Sequence, residues 1–113
     1  MPKYTFVVLS NAVEGKDAEF NEWYTNRHVP DVLDVPGFVA AQRFKLTDVQ
    51  RGKPPFPHRY LALYEIETND LKKTMDALAE RSGTPAMVMS EAFAPGPMAL
   101  MFEPITPKVE KPR

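Results

Sequence analysis

Cysteine is absent from the 113 residues, which removes disulfides, thiolate metal sites, iron–sulfur clusters and a cysteine nucleophile together. Glycine is scarce, five residues against twelve prolines, so the connections are stiff. No excess of one charge exists either. The 14 basic and 15 acidic residues give a net charge of −1, with no basic field for a nucleic-acid backbone and no acidic tail. The longest apolar stretches reach about half of the roughly 20 residues of a membrane span, and Met1-Pro2-Lys3-Tyr4 lacks the apolar core of a signal peptide. A cytoplasmic protein with no nucleic-acid or membrane partner is expected, and the length allows one domain with one small core.

What is present reads as alternating elements. Lys3 to Ser10 is rich in β-branched and aromatic residues and runs into the turn around Gly15, which predicts a first strand. Asp17 to His28 carries Phe20, Trp23 and Tyr24 at helical spacing with acids in its first turn, and Pro30 predicts that this helix ends or bends near His28. Asp31 to Val35 is expected to add one turn before Pro36-Gly37. Phe38 to Lys45 and His58 to Glu67 are the next strands, joined by a stiff loop containing Pro54-Pro55-Phe56-Pro57. Asn69 is expected to cap a second helix over Asp70 to Arg81, with Ser82-Gly83 stopping it, and Met98 to Glu103 reads as a fourth strand. Between them, 84–97 carries Met87, Met89 and Phe93, too apolar for an idle loop. The single domain is expected over residues 1–104, with 105–113 a Pro- and charge-rich tail.

The order β-α-β-β-α-β predicts an α+β, ferredoxin-like fold, a four-stranded antiparallel sheet with both helices on one face. Both alternation sets of the strands are apolar: Tyr4, Phe6 and Val8 oppose Val7 and Leu9, and Tyr60, Ala62, Tyr64 and Ile66 oppose Leu61 and Leu63. Two helices cover one face only. The other is expected to meet a second copy of the same sheet, making a homodimer.

Chemistry centres on the first helix. Tyr24 and His28 are one turn apart at its C-terminal end. A phenol beside an imidazole in an apolar cleft supplies a general base near neutral pH and a donor for a developing oxyanion. A histidine there can equally bond the last free carbonyls of the helix, with Pro30 as the stop, and the residues alone leave both roles open. Asp31 and Asp34 follow closely and are candidates to orient the imidazole. A pocket wall for a hydrophobic small molecule is expected from Tyr4, Phe6, Val8, Trp23, Tyr60 and Tyr64, with Phe20 and Trp23 also anchoring the core. His58 and His28 share no ligand spacing, so no metal site is expected, and neither a phosphate-binding loop nor a nucleophile elbow occurs.

The run Glu19-Phe20-Asn21-Glu22-Trp23-Tyr24-Thr25-Asn26-Arg27-His28-Val29-Pro30-Asp31, followed by Val35-Pro36-Gly37-Phe38, resembles the F-x-x-W-Y-x-x-x-H-x-P-D … V-P-G-F stretch of EthD-like proteins in the dimeric α/β barrel superfamily. The likeness is strongest from Tyr4 to Phe44. It implies homodimers whose sheets pack face to face, and it places a catalytic or ligand-contacting role on Tyr24 and His28. The superfamily includes cofactor-independent cyclases, lactone isomerases, small monooxygenases and haem-degrading enzymes. Without cysteine this chain departs from thiol-dependent isomerases, and without a histidine on its second helix it departs from the haem degraders. The resemblance therefore implies cofactor-independent, metal-free proton transfer, such as cyclisation, isomerisation or elimination, on an aromatic or polyketide-like molecule. The alternative is a non-catalytic barrel that binds a hydrophobic metabolite or assembles with a partner enzyme.

Overall fold

The computed structural model describes residues 1–113. Its elements are β1 (Lys3–Ser10), α1 (Asp17–Trp23), a π-helical turn (Tyr24–His28), α2 (Val29–Leu33), β2 (Phe38–Lys45), β3 (Tyr60–Glu67), α3 (Leu71–Arg81) and β4 (Met98–Phe102). All four strands pair antiparallel in the order β2-β3-β1-β4, the ferredoxin-like sheet that the element order predicts. Strand β1 is central and pairs Phe6 with Tyr64 on one side and with Met101 on the other.

The first helix differs from expectation in how it meets Pro30. It does not stop at His28. The backbone widens into a π turn in which the Val29 N–H reaches Tyr24 O, five residues back, and α2 then continues through the proline. A proline ring crowds the carbonyl four residues before it, and a wider turn just ahead of Pro30 accommodates that crowding. Three other boundaries move by a residue or two. Asp70 rather than Asn69 caps α3, its Oδ1 accepting from the Lys73 N–H at 3.1 Å. Strand β3 starts at Tyr60 rather than His58, because the Arg59 N–H is taken by Asn11 Oδ1 at 2.9 Å, and β4 ends at Phe102.

One face of the sheet carries Tyr4, Phe6, Val8, Tyr60, Ala62, Tyr64 and Ile66 against Phe20, Tyr24, Val32 and Val35 of the helical layer, and these make the core. Gly37 turns the chain under α3 with a φ of +101°, and a Cβ there would lie 3.0 Å from Thr74 Cγ2, so the close approach requires glycine. The opposite face is apolar and open. By register Val7 lies between Leu63 and Leu100, and Leu9 between Leu61 and Met98. Leu100 is 43% and Phe102 53% exposed there.

Strand β2 contains an irregularity between Phe38 and Ala40, where one extra residue stands against β3. Strict alternation would put Phe38 and Phe44 on one face. The bulge inverts the frame: Phe38 pairs with Ile66 facing the helices, yet further along it is Ala41 and Arg43, opposite Tyr64 and Ala62, that face the same way. Phe44 is turned to the open face.

Segment 84–97 covers the end of the helical layer. Its backbone is tied to the exit of β1 by Val13 N–H to Ala92 O at 2.8 Å and Ala94 N–H to Asn11 O at 3.0 Å, while Met87 and Ala92 are buried. Residues 103–113 are exposed and lie outside helix and strand. No helix is long and apolar enough to cross a membrane.

Candidate functional site

Helix α3 does not close onto the sheet along its whole length. Only its Thr74 is buried; Leu71, Met75, Ala77 and Leu78 pack in part against the core, and Met75, Leu78 and Ala79 also wall a cavity of about 430 Å³. The sheet contributes Phe6, Val8, Tyr64 and Ala99, the first helix Tyr24, His28 and Val32, and segment 84–97 Met87, Met89, Phe93 and Pro97. Twelve of its fifteen lining residues are hydrophobic and none is charged. The polar groups are the imidazole of His28 and the hydroxyls of Tyr24, Tyr64 and Ser82. A cavity of this size and lining suits an uncharged molecule of a few rings, oriented by one or two hydrogen bonds.

The polar groups gather at one place. The Tyr24 ring stands edge-on to the His28 imidazole with centroids 4.9 Å apart, and Trp23 lies against the imidazole at 4.6 Å. Tyr64 donates its hydroxyl proton to the Tyr24 oxygen over a long 3.3 Å, which leaves the Tyr24 proton free to be donated elsewhere. Trp23 is itself tethered, its Nε1 donating to Val88 O at 2.9 Å, and Arg27 donates to Pro85 O at 3.0 Å. The first helix thus holds down segment 84–97, which forms one wall of the cavity.

Burial pushes the His28 pKa down to about 4, with Asp31 pulling it up and the Arg43 charge pushing it further down. The imidazole is therefore neutral near pH 7. Burial raises the Tyr24 phenol, opposed by its bond from Tyr64 and by Arg43, and burial raises Tyr64 as well. His28 Nδ1 is buried with no hydrogen-bond partner. The carboxylate expected to orient it is engaged elsewhere: Asp31 Oδ2 accepts from Arg27 Nε at 2.7 Å, and Asp34 is exposed. Ring packing, not a carboxylate, fixes the imidazole.

Of the residues expected to form the site, Tyr24, His28, Phe6, Val8 and Tyr64 come together on the cavity wall. Three do not line it. Tyr4 packs against the core towards the far end of β1, opposite Ile66. Tyr60 is buried with its hydroxyl on Asp17 Oδ2, drawn towards the start of α1. Trp23 stands behind the imidazole. His58 bonds Gly96 O at 3.0 Å and does not line the cavity, and no group of three His, Asp or Glu side chains converges on a common point.

Sequence reasoning misses Arg43. Its guanidinium lies 4.4 Å from the centroid of the Tyr24 ring and bonds Thr25 Oγ1 and Asn21 Oδ1, each at 2.9 Å. The β2 bulge that turns it inward leaves no sequence signal beyond Pro36-Gly37 just before. The methionines and Phe93 of 84–97 were legible as a cover, but their place on the cavity wall depends on the tertiary docking of that segment.

No protein-family model and no curated protein sequence matches this chain. Solved structures do. An EthD-like protein from Ralstonia eutropha JMP134 superposes with a TM-score of 0.67 at 16% identity, covering 96% of this chain and 96% of that one. An ethyl tert-butyl ether D (EthD) family protein from Bacillus halodurans C-125 gives 0.63 at 20% identity, over 91% of this chain and 99% of that chain. The heme degrader MhuD from Mycobacterium tuberculosis, with two hemes bound in its active site, gives 0.62 at 16% identity over 94% and 99%. The architecture of this chain is the EthD-like one, a ferredoxin-like α+β sheet with its helices on one face.

Proposed function

We propose that the protein is a cofactor-independent enzyme that carries out proton transfer on an uncharged aromatic or polyketide-like molecule held in the α3–sheet cavity. The observation that carries this reading is an imidazole packed between the Trp23 and Tyr24 rings and sharing an apolar cavity wall with a pair of hydroxyls. His28 takes a proton from a carbon next to a substrate carbonyl, and the electrons of that C–H bond move onto the carbonyl oxygen as an enolate. The Tyr24 hydroxyl donates to that oxygen, supported by Tyr64 behind it. The imidazolium then returns the proton to another carbon for isomerisation or to a departing group for elimination, or the enolate carbon attacks a second carbonyl for cyclisation and the imidazolium protonates the alkoxide that forms.

Haem chemistry fits these residues poorly. Helix α3 presents Met75, Leu78 and Ala79 to the cavity and contains no histidine to ligate iron. A homodimer, through the apolar face of Val7, Leu63 and Leu100, completes the reading, because a face of this character on so small a domain is stabilised by a second sheet.

One observation favours a second reading, a barrel that binds a hydrophobic metabolite without turning it over. His28 has no orienting carboxylate, since Asp31 is paired with Arg27. The discriminating experiment is an NMR titration of His28 with and without a panel of aromatic ketones and lactones, followed by turnover assays on those that bind. His28→Ala is expected to lose about 10²–10⁴-fold in turnover while the fold persists. Tyr24→Phe should lose less, since it keeps the ring. Binding with no turnover by the wild type would establish the second reading instead.

A further inference from the structure

Arg43 is outside the cavity lining yet in contact with its chemistry. Both of its terminal nitrogens bond neutral acceptors on the first helix, Asn21 and Thr25, and its Nε is buried without a partner. No carboxylate neutralises it. The acids that form ion pairs are Asp17 with Arg59, Asp31 with Arg27 and Asp76 with Lys72. The guanidinium instead faces aromatic rings, Tyr24 at 4.4 Å, Phe20 at 5.5 Å and Tyr60 at 5.8 Å. A half-buried cation without a counterion is costly to maintain, and a stack on Tyr24 offsets part of that cost.

We propose that Arg43 is the positioning residue of this site: it ties β2 to the first helix, fixes the Tyr24 ring, and its unneutralised charge favours a neutral His28 and negative charge at the Tyr24–Tyr64 hydroxyl pair. Its catalytic consequence rests on the reading of His28 and Tyr24 given above. After burial, which dominates each, the Arg43 charge acts downward on the titration of Tyr24, Tyr64 and His28 alike. The titratable or charged groups around His28 are few. Its own helix gives Tyr24 and the Arg27–Asp31 pair, β2 gives Arg43 and β3 gives Tyr64. Helix α3 and segment 84–97 bring no titratable side chain to the cavity wall. Asp31 already acts on the imidazole more strongly than Arg43 and in the opposite sense, so removing Arg43 leaves that upward pull without its counterpart.

The test is a carbon-13 NMR titration of both histidines in the intact protein, with His58 as internal reference. In Arg43→Gln the His28 midpoint is expected to move up by about one pH unit while His58 stays put. Arg43→Lys keeps the charge and should leave His28 near its wild-type midpoint. If Arg43→Gln does not fold, Arg43→Met, which suits the aromatic surroundings, carries the same expectation. A His28 midpoint unmoved in the neutral variants, or moved equally by Arg43→Lys, overturns the proposal. No substrate enters this measurement, so failure of the enzymatic reading would leave its result standing.

Discussion

The Trp23 indole and the His28 imidazole lie nearly parallel, 24° from one another with centroids 4.6 Å apart, although they are separated by five residues. In a regular α-helix such residues are about 140° apart around the axis and do not meet. The π turn that begins at Tyr24 brings them into register. Trp23 thereby excludes water from one face of the imidazole, and the Tyr24 ring edge meets it as well.

Trp23→Ala is accordingly expected to act on chemistry more than on stability. Trp23 is only half-buried, so its truncation should cost about 2–3 kcal/mol, whereas Phe20→Ala, with no exposed surface in the wild type, should cost about 3–5 kcal/mol. Urea denaturation of the two variants checks the order. The His28 midpoint in Trp23→Ala should rise towards the ordinary histidine value as water reaches the ring, which NMR reads directly.

Stability should fall on the acid side of neutrality because of His28. Its folded pKa is about 4 and its unfolded one is near 6.5, so between these values the unfolded chain binds the proton more readily. The contribution is complete above pH 6.5, declines as the pH drops, and is lost below about pH 4. It amounts to at most about 3 kcal/mol. His28→Gln should flatten the pH dependence of the denaturation midpoint across that window. If His28 is the base, activity should also persist down to about pH 4–5 rather than fading below 7.

Assembly gives a third expectation. Sedimentation should find roughly twice the 12.8 kDa chain mass, and Leu100→Glu, a charge placed on the open sheet face, should shift the protein towards monomer. A wild-type monomer would refute the sheet-to-sheet dimer.

Truncation after Glu103 should leave the melting temperature nearly unchanged, since residues 103–113 are exposed throughout. A large drop would identify this tail as an arm bound by a neighbouring subunit.

Strands, helices and topology were legible because the apolar period changes cleanly between elements, as in Lys3 to Ser10 against Leu71 to Arg81. Tyr24 and His28 were legible from their spacing and their motif. The pocket wall was legible only in part. Alternation identifies the face on which Tyr4, Phe6, Val8, Tyr60 and Tyr64 lie, but it does not say how far along the strand the covering helix stands off, and the opening left by α3 lies beside Phe6, Val8 and Tyr64. Arg43 and the Trp23–His28 stack were hidden for a common reason: each follows a one-residue departure from ideal periodicity, which no periodic template registers.

The extra residue in β2 acts as a reading frame for everything downstream of it. With the bulge, Arg43 is delivered to Tyr24 and Phe44 to the open apolar face; were the same residues to pair without it, the two would exchange sides, with a cation on the open face beside Leu61 and Leu63 and a phenyl ring where Thr25 and Asn21 wait for donors. Deleting Val39, which is itself exposed, would remove only the doubled position and leave Arg43 and Phe44 on their present faces, whereas one residue inserted between Ala41 and Arg43 would exchange them and damage site and assembly in one step. Many substitutions at Val39 should be silent. The number of residues between the bulge and Phe44 is what this protein has to keep.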